Sequence, residues 1–136
     1  MPDIEIARLV DRFMRRINAS LNAKASTFDH HRVGPHGGIL LLTLAEIEPA
    51  RLQDLALIMA RDKGQMSRGV QALERKGLIE RIADPADARA SLLRLTSEGR
   101  ETVITLEHAV AEAIDRILTP LSDVERRALK ALLQAV

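Results

Sequence analysis

The sequence predicts a mainly α-helical (α+β) domain in which a single β-hairpin interrupts a series of helices. Three observations predict it. Apolar residues recur at helical spacing near both ends of the chain, first in Ile6, Leu9, Val10, Phe13, Met14, Ile17 and Leu21. One stretch alone, "LIERIADPADARASLLRL" (78–95), alternates like two strands around a turn. The length of 136 residues fits one domain, and 46% apolar residues are enough to build a core and exclude disorder. That core is aliphatic, because Trp and Tyr are absent and Phe13 and Phe28 are the only aromatics.

In chain order, the first apolar stripe predicts a long helix over about 4–25. A polar stretch with Asp29, His30, His31, Gly34, Pro35 and Gly37 follows. "GILLLTLAEI" (38–47) is largely apolar and expected to be buried; its length suits strand or helix, but its leucines and alanine, with no β-branched run, favour helix, and Glu48 and Pro49 close it. Leu52, Leu55, Ala56 and Met59 mark a short helix. After a turn, "DKGQMSRGVQALERKG" reads as a helix with Asp62 as N-cap and Gln65 at the capping-box position. Its inner stripe is Met66, Val70 and Leu73, and Gly77 supplies the C-terminal stop after a basic last turn. The hairpin comes next. Thr96 or Ser97 then caps a long helix reaching about Leu118, with Val103, Leu106, Val110, Ala113 and Ile117 on one face. Pro120 ends it, and Ser122 with Glu125 forms a capping box for a last helix striped by Leu129, Leu132, Leu133 and Val136.

A short helix, a turn and a helix with a polar outer face make a helix-turn-helix, and a hairpin directly behind it is the wing of a winged helix. A lone hairpin is marginal in water, so this one must lean on the helices before it. The expected task of the wing is to reach DNA.

The residues of the second helix of that pair support the idea. With Met66 facing the core at about 100° per residue, Gly64, Arg68, Gln71 and Arg75 fall on the opposite side. Arg can take guanine O6 and N7 together, and Gln can take adenine N6 and N7. Lys63, Gln65 and Ser67 flank the ridge as phosphate contacts, beside backbone N–H groups at the helix start. Gln53 on the short helix joins them as a DNA contact. A merely solvated face would carry similar residues; the turn in front and the hairpin behind favour DNA. Charge agrees: residues 61–94 hold eight Lys/Arg against five Asp/Glu, in a chain of net charge +1. At the hairpin tip, Arg89 is a candidate for a narrow minor groove, with Asp87 orienting its guanidinium.

Other classes fit poorly. The chain has no cysteine, which excludes disulfides, thiolate zinc sites and thiol redox sensing and fits a cytoplasmic protein. "MPDIEIARLV" lacks the apolar core of a signal peptide, and no apolar run approaches the roughly 18 residues of a membrane span. An enzyme is not expected: no Gly-rich phosphate loop, H-E-x-x-H or G-x-S-x-G occurs. Asp84 and Asp87 read as lying on an exposed turn, a poor place to shift a pKa. No cofactor is expected.

"LERKGLIERIADPADARASLLRLTSEG" (73–99) resembles the MarR (multiple antibiotic resistance regulator) family of bacterial transcription factors. It carries a Leu-Glu-x-x-Gly-Leu-Ile-x-Arg run, an Asp-Pro-x-Asp-x-Arg wing and a Leu-Thr-x-x-Gly start to the next helix, and "DKGQMSR" (62–68) is similar to the family's Asp-Lys-x-x-x-Ser-Arg. The resemblance implies an obligate homodimer, a winged helix-turn-helix in each subunit, a palindromic double-stranded DNA site, and a ligand-responsive repressor. It assigns about 35–96 to the winged part, and about 1–25 and 97–136 to dimerisation helices of a single 1–136 domain. Four positions depart from the family pattern. Gly64 and Gln65 stand where Ser or Thr is common, Arg51 stands where the short helix often has a Ser/Thr cap, and Ala88 replaces a frequent basic residue.

Dimerisation is expected through Leu9, Phe13 and Ile17 meeting Leu129, Leu132, Leu133 and Val136. The family's small-molecule effectors bind between the dimer helices and the winged part; an anionic or phenolic-like effector is expected, with His30, His31 and His36 as candidate contacts. The histidine spacing matches no metal motif, so no metal ligand is assigned. Two alternatives remain open: a winged helix used for protein–protein contact, and a metal-sensing regulator using the His30/His31/His36 region.

Overall fold

The computed structural model describes residues 2–136. The chain runs α1 (Ile4–Ala23), α2 (Ala25–Phe28), α3 (Gly34–Ile47), α4 (Leu52–Ile58), α5 (Lys63–Arg75), β1 (Ile79–Asp84), β2 (Asp87–Leu95), α6 (Ser97–Ile117) and α7 (Asp123–Gln134). It divides into two compact units. One comprises Ala25–His108; the other comprises the chain up to Lys24 together with Ala109–Val136. Among the described residues no helix is long and apolar enough to cross a membrane.

In the unit of Ala25–His108, α3 is the central element. Its leucines Leu40, Leu41 and Leu44 are buried against α4, α5 and β2. Ile39 and Glu46 stay exposed on the helix's other side, so the weak polar stripe of its sequence reflects an apolar residue left at the surface and not burial all round. The helix begins at Gly34, earlier than the apolar run suggests. Asp29 sets that start: its carboxylate accepts from the backbone N–H of Val33 at 2.9 Å and of Gly34 at 3.0 Å. The polar stretch before it also contains the one-turn helix α2, which periodicity cannot reveal in four residues.

The stripe Met66, Val70 and Leu73 of α5 is buried, as its period demands. Asp62 caps the helix by accepting from Gln65 N–H at 2.8 Å. Only this half of the expected capping box forms. Gly77 ends the helix at φ +75°, a backbone state that favours glycine.

The hairpin pairs Ile79 with Leu95, Arg81 with Leu93 and Ala83 with Ser91, and a bulge follows Ala83. Leu78, Ile79, Leu93 and Leu95 join the core; Arg81, Arg94 and the tip face outward. Ala50, just before α4, exchanges two backbone hydrogen bonds with Leu93, at 3.0 and 2.7 Å. The ribbon is thereby tied to the helix-turn-helix. Thr96 ties it to α6: its hydroxyl donates to Gly77 O at 2.6 Å and accepts from Gly99 N–H at 3.0 Å. Thr96 is therefore the cap of α6.

In the terminal unit, Asp3 caps α1 and Ser122 with Glu125 forms the full capping box of α7. Arg116 reaches Ser20 Oγ at 3.1 Å, and Arg126 reaches Asp115 at 2.6 Å. Ala113 is fully buried.

Candidate nucleic-acid interface

The exposed side of α5 carries Lys63, Gly64, Gln65, Arg68, Gln71 and Arg75, with Ser67 half-buried at its edge. Among the described residues none of Lys63, Arg68 and Arg75 has a carboxylate partner. The acids nearby are otherwise engaged. Glu74 accepts from Arg81 at 3.0 Å, and Asp62 serves as the cap. The ridge therefore presents cations that form no ion pair among the described residues, which favours attraction of a polyanion. Gln53 and Lys63 line one shallow depression together with Arg61. Arg61 escaped the sequence reading, because turn residues carry no periodic signal.

Gly64 has a local role. A Cβ there would lie 3.2 Å from Asp62 Oδ1 and 3.4 Å from Arg68 Nη1. The missing side chain leaves room for Arg68 to lie back over the helix start.

Two expectations for the wing need correction. Asp87 does not hold the Arg89 guanidinium; its Oδ1 accepts from the Arg89 backbone N–H at 3.0 Å, shaping the tip turn instead. Arg89 itself is exposed and has no ion pair among the described residues. Asp84 is not on an exposed surface. It is 8% exposed and is the one buried charged side chain among the described residues. Arg51 donates to Asp84 Oδ2 from Nε at 2.9 Å and from Nη2 at 2.6 Å. The other carboxylate oxygen accepts from Ala86 N–H at 2.9 Å. These bonds, first from Ala86 and then from Arg51, hold the Asp84 carboxyl below the usual carboxylate range. Asp84 in turn raises the Arg51 guanidinium above its usual value.

The three histidines do not gather. His36 Nδ1 lies 2.6 Å from Arg61 Nη1. The His31 carbonyl accepts from Lys76 Nζ at 2.8 Å. His30 lines a separate open depression with Asp29 and Arg32. Among the described residues no group of three His, Asp or Glu side chains is placed to hold a metal ion.

The expected dimer residues divide. Leu132 is 67% exposed, Leu133 64% and Leu9 52%, and Val136 is fully exposed. Phe13 and Leu129 are half-buried. Ile17 is 8% exposed in the single chain, so it is already covered without a partner. Ile4, Ile6, Val10, Met14 and Val124 extend the exposed apolar surface of the terminal helices.

The family model of MarR matches residues 39–91, the stretch from α3 through most of the wing. The uncharacterized HTH-type transcriptional regulator YxaD of Bacillus subtilis is 35% identical over 96 residues, covering 71% of this chain and 67% of YxaD. The chain belongs to the MarR family. The exopolysaccharide II synthesis transcriptional activator ExpG of Rhizobium meliloti is 28% identical over 137 residues, covering 97% of this chain and 66% of ExpG. BilQ of Clostridium symbiosum is 33% identical, and this chain spans 57% of its length. Among solved structures, apo MarR of E. coli superposes with a TM-score of 0.81 at 22% identity, covering 99% of this chain and 96% of that one. A probable transcriptional regulator of Pseudomonas aeruginosa gives 0.70 at 29% identity, covering 93% and 95%. The winged helix-turn-helix of this MarR-family chain is thus α4, α5 and the β1–β2 ribbon.

Proposed function

We propose that this MarR-family regulator acts as a homodimer on a palindromic double-stranded DNA site in a promoter and represses by occupying it. In this reading α5 enters the major groove with Arg68, Gln71 and Arg75 toward the bases. Lys63, Gln65, Ser67 and Gln53 meet phosphates, Gly64 lets Arg68 move, and the two wings carry Arg89 to flanking minor grooves. The observation that carries it is the exposed ridge of α5, whose cations form no ion pair among the described residues. A solved complex of a MarR mutant from E. coli with operator DNA has the same fold, at a TM-score of 0.79.

Dimerisation follows from the apolar faces of the terminal helices, with Leu9, Phe13, Leu129, Leu132, Leu133 and Val136 at the contact. Two subunits set the half-sites about 34–36 Å apart. An anionic or phenolic-like effector that binds one spacing better than another would release the DNA. His36, next to Arg61, is the candidate contact among the three histidines. Acting on promoter DNA places the protein in the bacterial cytoplasm.

The test is binding to a panel of duplexes selected from random sequence, repeated across salt concentrations. Lys63, Arg68, Arg75 and Arg89 each form no ion pair among the described residues. Were all of them to meet phosphates in a dimer, the log–log salt slope would approach about −7. A specific palindrome with a steep slope supports the reading, and weak binding without salt dependence refutes it. ExpG is named an activator, so transcription from the selected promoter, with and without protein, distinguishes repression from activation.

A further inference from the structure

Residues 50 and 51 grip the two strands of the wing at different heights. Ala50 is hydrogen-bonded through its backbone to Leu93 of β2, opposite Arg81. Arg51 reaches with its side chain to Asp84, the last residue of β1 and the first beyond the bulge. Between Arg81 and Asp84 the ribbon advances about 10 Å. Above the Ala50 contact it is otherwise a bare two-stranded ribbon, which is marginal by itself.

Arg51 serves no local purpose. It occupies the N-cap position of α4, yet it makes no side-chain cap bond. Its Nε and Nη2 both bind Asp84 Oδ2, while Asp84 Oδ1 binds Ala86 N–H in the tip turn. One buried carboxylate thus joins the start of the helix-turn-helix to the turn that carries Asp87 and Arg89. Asp87 and Asp54 add their negative charge around the same guanidinium.

We infer that Arg51 is a positioning residue: by clamping Asp84 it fixes the angle of the wing against α4 and α5, and so sets where Arg89 meets DNA. The inference rests on the DNA-binding reading above. The geometry explains why the position matters. Arg89 lies four residues beyond Leu93, about 13 Å along the strand, so a tilt of about 15° at Leu93 carries it about 3 Å. A hydrogen bond tolerates only a few tenths of an ångström.

Two measurements test the clamp. The first needs no DNA: amide hydrogen exchange of the full chain, wild type against Arg51→Met and Asp84→Asn. Exchange at residues 84–92 should speed up at least tenfold in both variants, while Leu41, Leu44 and Val70 keep their protection. Unchanged exchange at the tip overturns the inference. The second is affinity for the selected duplex in a double-mutant cycle with Arg89→Ala. Arg51→Met should weaken binding about tenfold, and adding it to Arg89→Ala should weaken binding by no more than about twofold further. Losses that multiply would make Arg51 an independent DNA contact and overturn its positioning role. Faster tip exchange in both variants, with no duplex bound even by the wild type, would refute the regulator reading, and with it the DNA half of the inference, while leaving the clamp itself measured.

Discussion

Gly99→Ala puts the tightest glycine packing among the described residues to a direct test. A Cβ at this position would lie 2.0 Å from Leu78 O and 3.0 Å from Leu78 C. Non-bonded heavy atoms rest at about 3.5 Å, so roughly 1.5 Å must open. Neither side yields easily. Leu78 is fully buried, and its carbonyl already accepts from Thr96 N–H at 3.1 Å. Moving the start of α6 away stretches that bond and the Thr96 hydroxyl bond to Gly77 O, now 2.6 Å. Overpacking costs about 1–3 kcal/mol, and each weakened hydrogen bond adds about 1 kcal/mol. Replacing a helical glycine by alanine returns up to about 1 kcal/mol. The net expectation is a loss of about 3 kcal/mol, a large share of the roughly 5–15 kcal/mol typical of a domain. Urea unfolding followed by circular dichroism measures it, with Gly38→Ala as the matched control. At Gly38 the nearest atom to an added Cβ is Leu106 Cδ1 at 3.9 Å, an ordinary contact. That variant should be neutral or stabilising by up to about 1 kcal/mol. A Gly99→Ala loss below about 1 kcal/mol would refute the packing argument.

Four further outcomes are expected. Leu132→Glu combined with Leu133→Glu should convert a dimer to a monomer in light scattering while far-ultraviolet circular dichroism is unchanged, because both side chains are mostly exposed in the single chain. Lys63→Ala should weaken duplex binding alike for all sequences and flatten the salt slope by about 0.9 per subunit, whereas Arg68→Ala should erase discrimination at one base pair, worth about 1–3 kcal/mol. Ser122→Ala should lower stability by about 1 kcal/mol in the same urea assay, because it removes the acceptor for Glu125 N–H. Asp84 gives a pH signature. Its carboxyl is lowered in the folded chain, so its contribution is fully present above the unfolded aspartate value of about 3.9 and is lost as pH falls through the lower folded value. A pH series of urea melts should therefore show Asp84→Asn less acid-sensitive than wild type below about pH 4, and equal acid sensitivity would contradict the bond geometry.

What the sequence could disclose followed the range of the interaction. Caps and periodic faces are set within four residues, so Asp62, Gly77, the Ser122–Glu125 box and the buried stripe of α5 could be read directly. The ridge of Arg68, Gln71 and Arg75 followed from the same period. Pairings between distant elements leave no such trace. Asp84 and Arg51 lie 33 residues apart, and each looked unremarkable locally, one as a turn residue and the other as a missing cap. The contact of Arg61 with His36 spans 25 residues and turns one member of an apparent histidine cluster toward the helix-turn-helix. Ile17 shows the same limit in the core. Its place on the apolar stripe of α1 suggests a dimer contact, but periodicity cannot tell a face left for a partner from one covered within the single chain.

The missing cap of α4 bears on how the wing is built. A Ser or Thr at position 51 would satisfy a helix-start N–H and stabilise α4 by about 1 kcal/mol. Arginine forgoes that bond, and α4 begins with no side-chain acceptor at all. In exchange its guanidinium spans to the far end of β1 and engages the one buried carboxylate among the described residues. An ion pair whose cation stays about one-third exposed adds little net stability, so stability alone does not account for the exchange. A local rule broken without an evident gain in stability is the kind of site where function is expected. Here the functional gain is direction. The core already holds the base of the ribbon through Leu78, Ile79, Leu93 and Leu95, and only its outer end needs a brace. In the proposed reading Arg51 supplies that brace from the helix-turn-helix itself, so the wing and α5 would be referred to one rigid start and the spacing of their proposed DNA contacts would be set before DNA arrives.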